Sequence, residues 1–348
     1  MQTNIFSINN LYKSYKKCLL GVSWKSTVQN YKFHSLTFLY NTRKDIYQGQ
    51  FKSGNFHCFT ILERGKVREI KSVSINERVV QKVLCDNILV PLLTRKFIHD
   101  NCACIKGKGV HFAIKRMKKH LHDYYIKYHS NEGYILQFDF SKYFENISHS
   151  KLLNLIRKEL KNDFYYQLYQ QLIYDFPGQY GLGLGSQISQ ISALFYANRI
   201  DHFFSRNSKI FRYGRYMDDG YLICSNKEEL KKCLFWLKIL CSELEIKLNT
   251  KKTHIKKISK GFEYLKARFC LLKNGKIIVK PNKKNISKNR RKLKKMKALV
   301  NSRKITFEQV KCFYVSVMGN LKHFNAFKTR SNFKQLFNIL FKEELSKC

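Results

Sequence analysis

Acidic residues are scarce in this chain: 24 Asp and Glu stand against 66 Lys and Arg. Carboxylates in apolar, strand-like surroundings are therefore conspicuous. Asp139 lies in Ile135-Leu136-Gln137-Phe138-Asp139-Phe140, at the end of an apolar run. Asp218 and Asp219 form a two-carboxylate turn, flanked on both sides by the apolar and aromatic residues of segment 213–223. Adjacent unpaired carboxylates repel each other, and burying them costs free energy unless cations neutralise them. Hard oxygen donors of this kind suit magnesium-like cations. Two such ions, roughly 4 Å apart, serve nucleotidyl transfer: one activates the attacking hydroxyl, the other holds the triphosphate and leaving group. From the dipeptide alone, Asp218-Asp219 reads equally well as a solvated hairpin turn.

The segments that carry these residues read as strands: 134–140 as one strand, 213–225 as strand, turn, strand. Segment 56–74 alternates as a hairpin, with Arg64-Gly65-Lys66 at its turn. Segment 77–98 is an apolar-periodic helix that ends near Pro91 or runs past it with a kink. Helices are expected over 150–174, over 186–204 after a glycine-rich loop at 178–185, and over 228–244. Residues 1–45 are basic, aromatic and helical in pattern. After Pro281 the composition shifts sharply to lysine and arginine at 283–297, with helix-like segments at 306–318 and 332–344. These shifts divide the chain into a basic helical extension (1–45), a central unit (46–281) and a helical C-terminal unit (282–348).

The formal charge is +42 over 348 residues, and 44% of residues are hydrophobic. So basic a folded chain points to nucleic acid as partner, with an acidic membrane surface second. The longest apolar runs, such as 88–93, are far too short to span a bilayer, and the N-terminus carries no leader pattern. The eleven cysteines are scattered without a CxxC pair. Cys102 and Cys104 form a lone CxC, too little for a zinc site. Free thiols and a cytoplasmic location are the expectation.

Tyr216-Met217-Asp218-Asp219 resembles the YxDD motif of reverse transcriptases, and further matches follow the order of that family. Asp139 to Phe144 with Asn146-Ile147-Ser148-His149 resembles its first palm motif, and Gly181 to Gln190 its second. Leu248-Asn249-Thr250-Lys251-Lys252-Thr253 resembles the LNxxKT segment, and Gly261-Phe262-Glu263-Tyr264-Leu265 the primer-grip hairpin. Lys66-Val67-Arg68 followed by Glu77-Arg78 resembles the fingers pattern. The resemblance covers about residues 45 to 272.

It implies an α+β right-hand polymerase with fingers and palm, an antiparallel sheet plus helices, and a C-terminal helical thumb. It also implies RNA-directed DNA synthesis with two Mg2+ ions, Mn2+ being a possible substitute. Asp139 and Asp218 become the main metal ligands, Asp219 the supporting carboxylate and Phe140 a backbone-carbonyl ligand. Phe144 becomes the steric gate that excludes the 2′-hydroxyl. Lys66 and Arg68 meet the incoming triphosphate, as a point charge and a planar fork respectively. Lys252 matches the lysine proposed to protonate the leaving pyrophosphate. Gly185 lets the backbone approach the nucleotide closely. In so basic a chain the bland reading of each Lys or Arg is a solvated surface charge, and of Phe144 ordinary core.

The second motif reads Leu184-Gly185-Ser186-Gln187-Ile188-Ser189-Gln190, where many of these enzymes have Gln before the glycine and Pro after the later serine. This form resembles bacterial enzymes of diversity-generating retroelements and of nearby phage-defence groups. Loss of the Gln amide implies reduced base discrimination. Lys266 stands where the primer-grip hairpin often has glycine, and the VTG signature of retron enzymes is absent. The expected partners are an RNA template, a DNA primer and product, and deoxynucleoside triphosphates, with a dedicated noncoding RNA or accessory protein as a further one. About seventy residues follow Pro281, enough for a helical thumb but not for an added RNase H or integrase domain. A noncoding-RNA-dependent defence enzyme, one making untemplated or repetitive DNA, and a non-catalytic RNA-binding scaffold are the rival readings.

Overall fold

The computed structural model describes residues 4–346 except Arg64, and the backbone but not the side chains of Glu63 and Lys66. Strands β1 (His57–Glu63) and β2 (Lys66–Ser72) form an antiparallel hairpin. Strand β3 (Tyr134–Ser141) is the centre of a five-stranded antiparallel sheet. Its sequence YILQFDFS is buried from Ile135 through Phe140, so both faces are covered and the run is apolar rather than alternating. On one side β3 pairs with β5 (Asp219–Cys224), which pairs in turn with β4 (Arg212–Tyr216). The other side of β3 is shared by two strands. Tyr134 to Gln137 pair with β7 (His254–Lys257), and Phe140 and Ser141 pair with β6 (Lys247–Leu248). A third sheet is the antiparallel set β8 (Phe262–Tyr264), β9 (Ala267–Leu271) and β10 (Ile277–Pro281).

The hydrophobic interior has three parts. The first joins helices Ile8–Cys18 and Ser35–Tyr47, through Leu11 and Leu39, with Phe6 just before them, to β3 and the helices behind it. The second packs helix Val110–Tyr128 against β8–β10. That helix carries Ala113, Ile114, Met117, Leu121 and Tyr124 at spacings of one to four residues, an apolar stripe on one face. The third lies among the C-terminal helices Lys283–Asn301, Phe307–Leu321 and Phe327–Leu340, around Leu293, Val310, Phe333 and Phe337. A reciprocal pair of bonds ties these helices to β10: Val279 N–H donates to Asn325 Oδ1 and Asn325 N–H to Val279 O, both at 2.8 Å. No helix among the described residues is long and apolar enough to cross a membrane. The ten cysteines among them are free.

One alternative is decided and two expectations change in detail. Segment 77–98 does run past Pro91, through a π-helical turn at Cys85–Leu89 into a short helix at Val90–Thr94. Proline offers no N–H, and the wider turn carries the ladder past that gap. Segment 150–174 divides into His149–Glu159 and Asp163–Tyr174, because Asn162 caps the second helix by accepting from Tyr165 N–H. Segment 186–204 divides at Ala197, whose φ of −90° and ψ of 7° end the helix Gln187–Tyr196.

Candidate active site

The β3–β5 register sets Asp139 directly opposite Asp219. Tyr216 and Asp219 close the β4–β5 hairpin, leaving Met217 and Asp218 as its two-residue loop. Met217 takes the left-handed conformation, with φ at +54°. For a residue with a Cβ this costs about 1 kcal/mol. Phe140 N–H donates to Asp218 O at 3.0 Å and clips the loop to the end of β3. Gly220 lies across from Phe138, and a Cβ there would overlap the Phe138 ring. These contacts bring all three sequence-predicted carboxylates to one end of the sheet.

Asp139 is 4% exposed and is held from the segment after β6. Asn249 N–H donates to its main-chain carbonyl at 2.8 Å, and Asn249 Nδ2 to Oδ1 at 3.0 Å. Lys252 Nζ donates to Oδ2 at 2.5 Å. The four residues 249–252 form a turn, closed by Lys252 N–H on Asn249 O, so both ends of one turn grip one carboxylate. Asn249 is a site residue that the sequence reading quoted but gave no role.

Burial pushes the Asp219 carboxyl up to about 7, assisted by the charges of Asp218 and Asp139 and by a hydrogen bond to Asp139. Burial also raises Asp218, with the Asp139 charge adding to it; Lys252 and Arg68 act in the opposite direction. For Lys252, burial works against the charge, but the hydrogen bond and charge of Asp139 outweigh it and hold the ammonium above its ordinary range. The three carboxylates thus repel one another, and burial adds to the cost of charging them together. Among the described residues no three or more His, Cys, Asp or Glu side chains stand arranged as a metal-binding group. Oxygen donors on two adjacent strands are nevertheless the right chemistry for a hard divalent ion.

Arg68 sits on β2, and its charge acts to lower the Asp218 carboxyl. The Lys66 side chain lies outside the described residues. Phe140 is buried, its ring 5.1 Å from that of Tyr143. Phe144 is half-buried in the 3-10 turn Tyr143–Asn146 that follows β3. Its carbonyl accepts from Leu182 N–H at 2.8 Å, and that of Ile147 from Gly181 N–H at 2.9 Å, which laces the glycine-rich loop to this turn. The same loop meets β2: a Cβ on Gly185 would lie 3.8 Å from Ile70 Cγ2. That spacing is ordinary, so glycine is required there by its φ of +104°. In the third sheet Leu265 and Lys266 both take positive φ, the two-residue hairpin form, with Lys266 accepting the conformation that glycine would take freely.

Behind the carboxylates lies a second feature the sequence reading passed over. Arg215 and Asp201 are both fully buried and paired, Nε to Oδ1 and Nη2 to Oδ2, each at 2.6 Å. The signal was slight, since one Arg in so basic a chain reads as a surface charge.

Residues 52–269 match the family described as reverse transcriptase (RNA-dependent DNA polymerase). No curated protein matches in sequence. Among solved structures, the apo telomerase of Candida tropicalis aligns with a TM-score of 0.54 and 15% identity, over 85% of this chain and 59% of that one. The telomerase of Candida albicans, in complex with a TWJ fragment of telomeric RNA, aligns with a TM-score of 0.50 and 10% identity, over 84% of this chain and 62% of that one. The chain thus spans about three-fifths of the length of these telomerases, and the likeness is one of fold: a right-hand polymerase of mixed helix and antiparallel sheet.

Proposed function

This chain belongs to the reverse transcriptase family, and from that premise we propose that it is an RNA-directed DNA polymerase whose site is built on Asp139, Asp218 and Asp219. The observation that carries the reading is the placement of Asp139 opposite Asp219, with Asp218 in the adjoining turn. These three carboxylates, with the Phe140 carbonyl, would hold divalent ions, Mg2+ in the first place and Mn2+ as substitute. Such ions, when bound, lower the barrier to nucleotidyl transfer by activating the primer hydroxyl and neutralising the leaving group.

The chain's own residues supply the rest. Asn249 and Lys252 orient the Asp139 carboxylate. Lys252 keeps its proton at neutral pH, the state required of a donor to the departing pyrophosphate. Arg68, with Lys66, meets the triphosphate from the hairpin side. Phe144, on the turn after β3, would act as the sugar gate, and the loop at Gly185 lies between that turn and β2. Fingers and palm then run over 46–281 and the thumb over 282–348, where lysine and arginine hold a duplex by its phosphates.

The sequence Leu184-Gly185-Ser186-Gln187-Ile188-Ser189-Gln190 favours a diversity-generating retroelement as the setting. The same form supports a second setting, an enzyme that works with a structured RNA of its own in phage defence, and the charge of +42 suits an RNA partner in both. The likeness to a telomerase that holds an RNA fragment supports RNA as the partner in either. Primer extension on a defined RNA template, with deoxynucleotides and Mg2+, tests the activity against Asp218→Asn. Templated extension by the wild type and at least a thousandfold less by the variant is expected. Equal extension by both would overturn the site, and none by either would mean that a dedicated RNA or partner is required, or favour the RNA-binding scaffold.

A further inference from the structure

Arg215 is among the largest side chains with no exposure at all, and it lies two residues before the turn that carries Asp218. Its guanidinium makes four bonds. Nε and Nη2 grip the two oxygens of Asp201 at 2.6 Å. Nη2 also donates to Leu194 O at 2.9 Å, and Nη1 to Met217 O at 2.8 Å. Asp201 is fixed in turn by the Tyr213 hydroxyl at 2.7 Å. The Arg215 main chain is equally constrained: its N–H donates to Asp100 O at 3.0 Å, and its carbonyl accepts from Cys102 N–H at 2.9 Å.

A buried ion pair is poor evidence of a gain in stability, because desolvating two charges cancels most of their attraction, and apolar side chains of like volume fill such a space as well. An apolar pair cannot donate to the Met217 carbonyl. That carbonyl belongs to the peptide unit leading into Asp218, and Met217 holds a left-handed φ of +54° that its Cβ disfavours. The next carbonyl, that of Asp218, is held from the other side by Phe140 N–H. The peptide units on both sides of the Asp218 Cα are therefore pinned, one by Arg215 and one by β3. Those two bonds fix the direction of the Asp218 Cα–Cβ bond, from which its carboxylate extends.

Building on the polymerase reading, we propose that Arg215, locked in place by Asp201, is a positioning residue that holds the left-handed Met217 turn and so aims the Asp218 carboxylate at its divalent cation. Lysine is not an equivalent. One ammonium has no planar fork with which to serve both Asp201 oxygens and the Met217 carbonyl together. The pair tunes cation binding without touching substrate or cation.

The test reads cation binding directly, as Mn2+ titrated against the protein alone and followed by electron paramagnetic resonance, beside single-turnover primer extension. Arg215→Met with Asp201→Asn removes both charges and keeps an acceptor for the Tyr213 hydroxyl. Arg215→Lys keeps a cation opposite Asp201 and decides the matter if the double variant does not fold. In the variant that melts within a few degrees of wild type, the Mn2+ dissociation constant is expected to rise about tenfold, with extension restored in part by added Mn2+. Mn2+ affinity and extension equal to wild type in that folded variant would overturn the proposal. If the wild type itself binds Mn2+ no better than Asp218→Asn does, the polymerase reading fails first and takes the proposal with it.

Discussion

Asn249→Ala removes one hydrogen bond from the candidate site and little else. The backbone bond from residue 249 to the Asp139 carbonyl survives, as does Lys252 on Oδ2. What disappears is the 3.0 Å bond from Nδ2 to Oδ1 of a carboxylate that is 4% exposed. A hydrogen bond to a charged group contributes about 1.5–3 kcal/mol. If Asp139 must stand in one orientation for catalysis, that figure converts to a loss of roughly ten- to a hundredfold in kcat/KM. Asn249→Asp keeps the shape but sets an acceptor, and a like charge, against Oδ1. At surface-like screening, like charges 4 Å apart repel by about 4 kcal/mol. The expected order of activity is wild type, then Ala, then Asp. Single-turnover incorporation of one deoxynucleotide over a range of Mg2+ concentrations measures it, with melting temperature as the control for folding. Asn249→Ala within twofold of wild type, in a folded protein, would refute the idea that this amide orients Asp139.

Phe144→Val is expected to admit ribonucleotides, raising their incorporation relative to deoxynucleotides at least tenfold; unchanged sugar selectivity in primer extension removes the gate role. Glu77 is 2% exposed, accepts from Gly54 N–H and Gln81 Nε2, and is pushed by burial up to about 7. A carboxyl raised in the fold favours the native state while protonated, so its contribution is present below its unfolded value near 4.5 and fades as pH climbs to about 7. Glu77→Gln should remove that decline, which amounts to about 3 kcal/mol, and thermal melts at pH 5 and 7.5 would show whether the wild type alone loses stability between them. Gly220→Ala forces a methyl into the Phe138 ring and should cost at least about 1–3 kcal/mol; adding Phe138→Leu should recover part of it, and a Gly220→Ala melt equal to wild type contradicts the packing.

The carboxylates were conspicuous because acids are rare here and these three sit in apolar runs, but residue type alone left Asp218-Asp219 equally readable as a solvated turn, and only the resemblance of the surrounding motifs gave it a role. Strand β3 was legible from its apolar run, as was the hairpin that ends in Asp218-Asp219. Asn249 was not, because its work depends on Asp139, 110 residues earlier, and no local pattern encodes that pairing. Arg215 was masked by the charge of the whole chain, and its partner lies on a separate element, the helix Asn198–Ser205. The helix breaks near Leu160 and at Ala197 escaped because neither needs glycine or proline; one rests on the Asn162 cap and the other on a backbone angle. Helix Val110–Tyr128 went unread although its apolar stripe was present, since four lysines and three histidines are interspersed through it.

The pairing of β3 also sets an order of events in time. Asp139 meets Asp219 only after 80 further residues have been joined, and its grip by Asn249 and Lys252 waits for another 30 or so. At ribosomal speeds of about 5–20 residues per second, β3 waits roughly 4–16 s before its first partner strand exists. Throughout that interval the segment Tyr134-Ile135-Leu136-Gln137-Phe138 is an apolar strand with two open edges, the kind of segment that pairs with copies of itself. The centre of the sheet is thus a liability of the nascent chain, and slowing synthesis between residues 141 and 219 should lower soluble yield more than slowing it anywhere after residue 257.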